Sequence, residues 1–470
     1  MGLTAAHWVF FAVTLSMLFA MAVRRGVIIL AMLGIIALAL LSPNAGQEPV
    51  DQAIFAAQAM FRAAIVGGTR LFDTILLVGF MGALLHVLRE EGIDRVMLMP
   101  FAKFMRGPRT AFIMIALATY LFSLFFWPTP TVLMIGALLA PLAVRAGLSP
   151  LATGMAMSMA GHGMALSADP LIQAAARITG APGGLAPSAI LPMSLLISIV
   201  IGLVALGVSL AWAKLRPREV DLAAVPEGAG QAADVAPPTR RQIGLAIVVP
   251  ALLGATAVLS ILRPSQTADN GMAVALMGGM AVVLLIITCV VQHGTHALDS
   301  IVDMMSEGFF LVIRIFAPVV PVLGFFMIGE GTSAEAILGP GTPGFVYALG
   351  EHFALSGPLW CVLLPVAMVI VGAISGRDGI AFQGLPLAGT IAVMLSDGNV
   401  YQGAVLASLA QVATIWVGAG VLLSWSGVRT VASEVWLDRE ELASANRWPV
   451  IAGLAAGAVA AMVLLLRHGA

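Results

Sequence analysis

The sequence predicts an all-α polytopic membrane protein of about ten transmembrane helices plus two re-entrant hairpins in an inverted-repeat arrangement, and three observations predict it. Hydrophobic residues fill 60% of the 470 positions and charged residues only 10%, with a mean hydropathy of +1.02, whereas a soluble domain carries roughly 25% charged residues. Uninterrupted apolar runs of about 17–25 residues recur, each long enough to cross a hydrocarbon core of roughly 30 Å as a helix. One long polar stretch, LRPREVDLAAVPEGAGQAADVAPPTRR, divides the chain near its middle. Period-2 strand patterns are absent, which excludes a β-barrel.

Candidate spans follow in order at 5–23, 27–42, 71–88, 150–179 with a break, 187–213, 243–262, 271–291, 308–329, 400–426 with a break, and 448–466. The first is followed by Arg24 and Arg25 with no basic residue before it, the reverse of a secretory signal's charge order, so it reads as a retained helix. Segments 52–70 and 296–307 mix polar and apolar residues, with Arg62, Arg70, Asp299, Asp303 and Glu307, and read as interfacial helices. Two further apolar segments, 111–144 and 355–395, are interrupted by Trp127-Pro128-Thr129-Pro130-Thr131 and by Ser375-Gly376-Arg377-Asp378-Gly379. Half-segments of about 14–18 residues are short for a span, so each reads as a re-entrant hairpin.

The organisation is then a first repeat over 1–213, a flexible linker over 214–242 and a second repeat over 243–470. Five spans precede the linker and five follow it, so the second half starts on the opposite side of the membrane, and homologous halves must be inverted. Lys and Arg of short loops favour the cytoplasm. Arg24 and Arg25, the stretch Arg89 to Arg109, and the linker therefore lie inside, with both termini outside.

Composition excludes several functions. Net charge is −1 and the basic residues cluster in loops, so there is no nucleic-acid footprint. No Gly-rich loop ends in Gly-Lys-Ser/Thr, which argues against an ATP-driven pump. Cys289 and Cys361 lie in apolar runs as packing residues, and the 25 methionines are spread through the spans without metal-ligand spacing. No cofactor or structural metal is expected.

Helix breaks are the site candidates, because they leave N–H and C=O groups that only protein, water, ion or substrate can satisfy. At the first tip Thr129 and Thr131 either donate to an anion or bond their own backbone beside the prolines. The break Gly161-His162-Gly163-Met164-Ala165-Leu166-Ser167-Ala168-Asp169-Pro170 places ionisable groups inside an apolar segment. His162 is either a proton relay or a packed neutral histidine. Asp169, with Ser167 nearby, either carries a cation or proton or caps the helix after Pro170.

At the second tip Arg377 is the strongest candidate, because its planar fork suits a carboxylate. Asp378 balances it or binds the coupling cation; the alternative is a structural Arg–Asp pair. Ser375 and Gln383 flank the turn. In the second broken helix Gln411 and Thr414 match the position of Gly161-His162, with Trp416 as a wall, and Gln411 alternatively only joins two helices.

The halves share a layout. FRAAIVGGTRLFDTILLVGFMGALLHVLREEG sits where EGFFLVIRIFAPVVPVLGFFMIGEG sits later; then come the hairpins, return segments with Pro141-Leu142-Ala143 or Pro386-Leu387-Ala388, turns at Gly147 or Gly398, and small-residue helices LATGMAMSMAGHG or YQGAVLASLAQVATIW. This order resembles the ion transporter superfamily, with its citrate, dicarboxylate and gluconate permeases, over about 27–466. The resemblance implies a homodimer, a static scaffold from the early spans, a moving transport domain of hairpins and broken helices, and an elevator motion.

The expected function is secondary active transport in the cell inner membrane: Na⁺- or H⁺-coupled symport of a small organic anion, a carboxylate. Arg377 would hold the anion, while Asp169, Asp378 and His162 carry coupling. The alternatives are a monovalent cation/proton antiporter, with Arg377 structural, and a membrane-embedded hydrolase using His162, Ser167 and Asp169.

Overall fold

The computed structural model describes residues 2–215, 237–262, 272–353, 355, 357–378, 382–396, 398–419, 421–423 and 426–467. In the first half α1 (Ala5–Ala22) and α2 (Ile28–Leu40) precede the long α3 (Pro49–Glu90), the short α4 (Ile93–Phe104) and a hairpin of α5 (Pro108–Phe126) and α6 (Pro128–Arg145). Then come α7 (Pro150–Met157), a π-helix over Ser158–Ala165, α8 (Ala174–Gly180) and α9 (Pro187–Leu215). The second half repeats the order. It has α10 (Arg240–Leu262), α11 (Met272–His293), α12 (Ala297–Phe316), α13 (Val319–Met327), and the short α14 (Gly331–Leu338) and α15 (Phe345–Phe353). A hairpin of α16 (Pro358–Ser375) and α17 (Gly384–Met394), then α18 (Val400–Gly418), α19 (Ser426–Glu434) and α20 (Arg439–Arg467) complete it. Among the described residues, 10 helices are long and apolar enough to cross a membrane.

Local chemistry explains the boundaries. Proline opens α3, α5, α6, α7, α9 and α16, where its missing N–H is one the helix leaves unpaired anyway. Ser149 caps α7 by accepting from the Ala152 N–H, and Asn399 caps α18 by accepting from the Gln402 N–H. The turns ahead of those caps run through Gly147 (φ 90°) and Gly398 (φ 68°), left-handed conformations that favour glycine.

Some expected boundaries shift. The segment 52–70 is not a separate interfacial helix but the first part of the 42-residue α3. Its glycine pair does not interrupt the helix, because a partner helix packs against it there. Likewise 296–307 continues into the second-half span as α12, and that span breaks instead at Ala317–Pro318, between α12 and α13. The first leg of the first hairpin, at 19 residues, is longer than expected because Pro108 starts it early; the second leg, at 18, is as expected, whereas α17 has only 11. Most of the expected 214–242 linker lies outside the described residues.

Packing centres on two glycine-lined crossings. The helix α3 runs along α12 and α13, with α2 and α11 beside it. A Cβ on Gly67 would lie 2.6 Å from the Val320 carbonyl oxygen, and one on Gly308 would collide with the Gly79 carbonyl. Among apolar helices, small residues let dispersion contacts and backbone proximity hold a pair together. The second hairpin, the π-helix, α8 and α9 pack around the almost fully buried α18, the first hairpin packs on the π-helix, and α9 lies against α20. The second legs of the broken helices cross over: α8 packs on α17 and α19 on α6.

Two outcomes follow from this packing. Gly308→Leu drives a side chain into the α3 backbone, so folded yield and melting temperature fall sharply, while Gly107→Ala, at a glycine with open space around it, leaves both unchanged. Burial holds the Asp94 carboxyl of α4 up at about 6, despite the Arg95 N–H and the charges of Arg89 and Arg95 pulling it down. A raised carboxyl pKa penalises folding as pH rises through about 6. Asp94→Asn therefore raises the melting temperature by roughly 2 °C or more at pH 8 and not at all near pH 3.5, as read by differential scanning fluorimetry.

Candidate functional site

The two hairpin tips meet. Pro128 and Pro130 restart the chain as α6 directly after α5, and the turn is made by Trp127 in the left-handed region (φ 69°). That conformation is unfavourable for a bulky residue, and what holds it is burial: the indole is 4% exposed and stacks on Phe382 of the other tip, centroids 5.5 Å apart. Phe316, at the end of α12, stands edge-on to both rings at 5.9 and 5.5 Å. Gln383 ties the second tip to the same place, its Nε2 donating to the Pro318 carbonyl (3.4 Å) in the α12–α13 break. Both tips and an interrupted helix therefore close on one aromatic cluster, of which the sequence reading singles out only Gln383.

Behind the first tip lies the π-helix. His162 is buried, its Nε2 3.4 Å from Thr129 Oγ1 and its Nδ1 without a partner. Gly161 and Gly163 lie inside the π-helix, which widens the winding without breaking the helix there, and they let neighbours in. A Cβ on Gly161 would meet Thr119 and Ser123, and one on Gly163 would lie 2.9 Å from the Trp416 indole. The helix unwinds later, over 168–173, with Gln173 at φ 59°. There Asp169 Oδ1 accepts from the N–H groups of Leu171 (2.7 Å) and Ile172 (3.1 Å), closing a turn; the helix α8 begins only at Ala174, with Gln173 as its N-cap, so Asp169 does not cap the helix as expected.

The second-half helix is corrected in the same way. Gln411, Thr414 and Trp416 sit inside continuous α18, and the interruption comes after Gly418. The chain stays helical there because small residues allow tight contact: Gly376 and Gly418 face each other so closely that a Cβ on either would strike the other's backbone or that of Thr414. Gln411 donates to the Ser167 carbonyl (2.7 Å), and Ser167 Oγ pairs with Ser198 Oγ (2.8 Å). Thr414 Oγ1 is bonded back to the Ala410 carbonyl (2.7 Å).

Several buried polar atoms have no partner among the described residues: Ser123, Thr131, Ser158 and Ser375 hydroxyls, His162 Nδ1, Arg377 Nε, Gln411 Oε1 and Trp416 Nε1. Such groups are costly in an apolar interior; these lie on the hairpins, the π-helix and α18, while Thr74, Arg177, Thr179, His293 and Asn446 carry further buried atoms without a hydrogen bond on α3, α8, α11 and α20. Arg377 is half-buried in the turn between α16 and α17; the side chain of Asp378 lies outside the described residues. A cavity of about 180 Å³ opens between α3, α12 and α6, reaching Pro130 beside Thr129 and lined at its charged end by His86, Arg89 and Glu307.

The serine, histidine and carboxylate of the hydrolase reading are not linked to one another. His162 reaches Thr129, Ser167 reaches Ser198, and Asp169 reaches backbone N–H groups. Sequence reasoning also passes over one ion pair, Arg177 Nη1 on α8 to Asp73 Oδ2 on α3 at 3.9 Å. The signal available was a charge in each of two otherwise apolar stretches.

No family model matches the chain. It is 32% identical over 414 residues to the uncharacterized membrane protein YhfA of Bacillus subtilis, covering 86% of this chain and 88% of that protein. The chain belongs to the YhfA family. Its fold matches that of the YdaH transporter of Alcanivorax borkumensis, whose crystal structure is described as revealing an unusual topology, with a TM-score of 0.52 over 98% of each chain at 13% identity. The YhfA-family chain is thus an all-helical, multi-pass membrane protein with the YdaH fold.

In this YhfA-family protein the tip contact carries a measurable coupling. Trp127→Ala and Phe382→Ala each lower stability by about 3 kcal/mol, in the range for deleting a buried aromatic ring. The double substitution costs less than the sum, because each removes the same stacking contact.

Proposed function

We propose that the protein is a secondary active transporter, a Na⁺- or H⁺-coupled symporter of a small organic anion bearing a carboxylate, working as a homodimer by an elevator motion. The observation that carries this reading is the convergence of two interrupted hairpins on one aromatic cluster beside a set of buried, unpartnered donors. Interrupted helices inside a membrane protein are tolerable where they line a ligand site. The YdaH fold, which serves a transporter in Alcanivorax borkumensis, supports the same reading, as does the shared order of elements in the two halves with their crossed second legs, the pattern of an inverted repeat.

In this reading the substrate carboxylate meets Arg377 at the second tip, with Ser375, Gln383, Thr129, Thr131, Gln411 and Thr414 around it. The Arg377 Nε, which has no partner among the described residues, supplies one arm of a bidentate contact. Coupling falls to His162, Asp169, Asp378 and Ser167. One ring nitrogen of His162 has no partner among the described residues while Thr129 touches the other, which suits proton relay between tip and π-helix. The cavity at His86, Arg89 and Glu307 gives an aqueous approach to Pro130 and the first tip.

The test is uptake of labelled acetate, succinate, citrate and gluconate into proteoliposomes under imposed Na⁺ or pH gradients. Gradient-driven uptake of at least one is expected, with Arg377→Gln reducing it at least tenfold, the loss of one strong charge-assisted contact. Uptake that ignores both gradients removes coupling. Cation exchange that survives Arg377→Gln, without anion uptake, makes the protein an antiporter instead.

A further inference from the structure

We propose that Arg177 is a second carboxylate-binding residue of the transport site, and that Asp73 is its counter-ion only until substrate arrives. This deepens the transport reading and rests on it. Arg177 stands on α8, just beyond the Asp169 break, where α8 packs against α17, α18, α9 and α3. Its side chain is 18% exposed, its Nε is buried without a partner among the described residues, and among the described residues its acidic contact is Asp73 at 3.9 Å. A guanidinium offers five N–H donors in a fixed fork and does not lose its charge. A single contact at the outer limit of an ion pair leaves most of that capacity open.

Asp73 is the other half of the argument. It lies well inside α3, a helix apolar enough to cross a membrane, yet its side chain is 60% exposed. Asp73 stands near the start of the 71–88 span, and with its side chain this exposed the side of Arg177 that it approaches is not packed over by protein and is open to a solute. The same two helices each carry a further buried hydroxyl without a partner among the described residues, Thr74 beside Asp73 and Thr179 two residues after Arg177. A carboxylate displacing Asp73 gains a bidentate partner in place of a loose monodentate one. It also frees α8 from its ionic tie to α3, so binding would loosen the hairpin-and-broken-helix body from the α3 helix group.

The prediction is a pair of opposite signs, which a merely structural ion pair does not give. Asp73→Asn removes the competitor, so the concentration of carboxylate giving half-maximal uptake falls about threefold or more, whereas Arg177→Gln raises it at least tenfold. Arg177→Lys falls between. The probe is whichever of acetate, succinate, citrate or gluconate wild-type proteoliposomes accumulate best, and its binding is read independently as the rise in melting temperature of purified protein. If Arg177→Gln does not fold, Asp73→Asn and Arg177→Lys carry the test. Movement of half-saturation in the same direction for Asp73→Asn and the Arg177 variants, or no change in Asp73→Asn, overturns the proposal and leaves carboxylate transport standing. A wild type that neither accumulates nor binds any of the four sinks the transport reading and this one together.

Discussion

The structure depends on one constraint: a chain buried in an apolar surround that interrupts its helices must find something for the exposed backbone and for the side chains at the break. Each interruption described here has its own answer. Trp127, forced into a left-handed turn between two helices, is held by stacking on Phe382 and by Phe316. The break after the π-helix is answered by Asp169, whose carboxylate takes two backbone N–H groups. The α12–α13 break offers the Pro318 carbonyl to Gln383. Because one break supplies another's partner, the tips cannot be placed independently, and the site is specified by the breaks as a set.

Glycine supplies the complementary condition. Burial of apolar side chains does little to hold helices together when lipid is equally apolar, so close backbone approach has to do it. At Gly308 against Gly79, and at Gly376 against Gly418, no space exists for a methyl group. The first contact fixes α3 against the second-half helices; the second fixes the tip of the second hairpin on α18. Between these two rigid seams lie fewer contacts, those of α1 with α16, of α13 with α17, and of α3 with α5, α6 and α8. A body that moves has to part along its weakest seam, and this is where the two bodies of the elevator reading would part.

Much of this was legible in the sequence. Composition and run length give a membrane protein, and Pro128-Thr129-Pro130 and Gly376-Arg377-Asp378-Gly379 mark the two tips because proline and glycine cannot continue a helix unnoticed. The turns at Gly147 and Gly398 were equally readable, since the residues are glycine for a conformational reason. Other positions misled for the same kind of reason. Gly161 and Gly163 look like breakers, but glycine in a helix serves close packing as readily as unwinding, and here Thr119 and Trp416 fill the space. Trp127 and Phe382 were not picked out because an aromatic residue in an apolar segment carries no local sign that its partner lies on the other hairpin.

The charges on α3 connect packing to function. Its Asp73 faces Arg177 of α8. Farther along, its Arg89 acts on Glu434 of α19, drawing down a carboxyl that burial otherwise pushes up. The second legs of both broken helices thus present a charge to the same helix, positive from one half and negative from the other, each opposite its complement. Charge contacts of this kind, one an ion pair at 3.9 Å and the other a longer-range attraction, contribute little to net stability once desolvation is counted, so stability does not explain why both are present. Registration does: two complementary pairs at separate points along one helix fix where the hairpin bodies stand relative to it. In the proposed transport reading a step along α3 would have to give up both, and a substrate carboxylate that took Arg177 from Asp73 would lower that barrier.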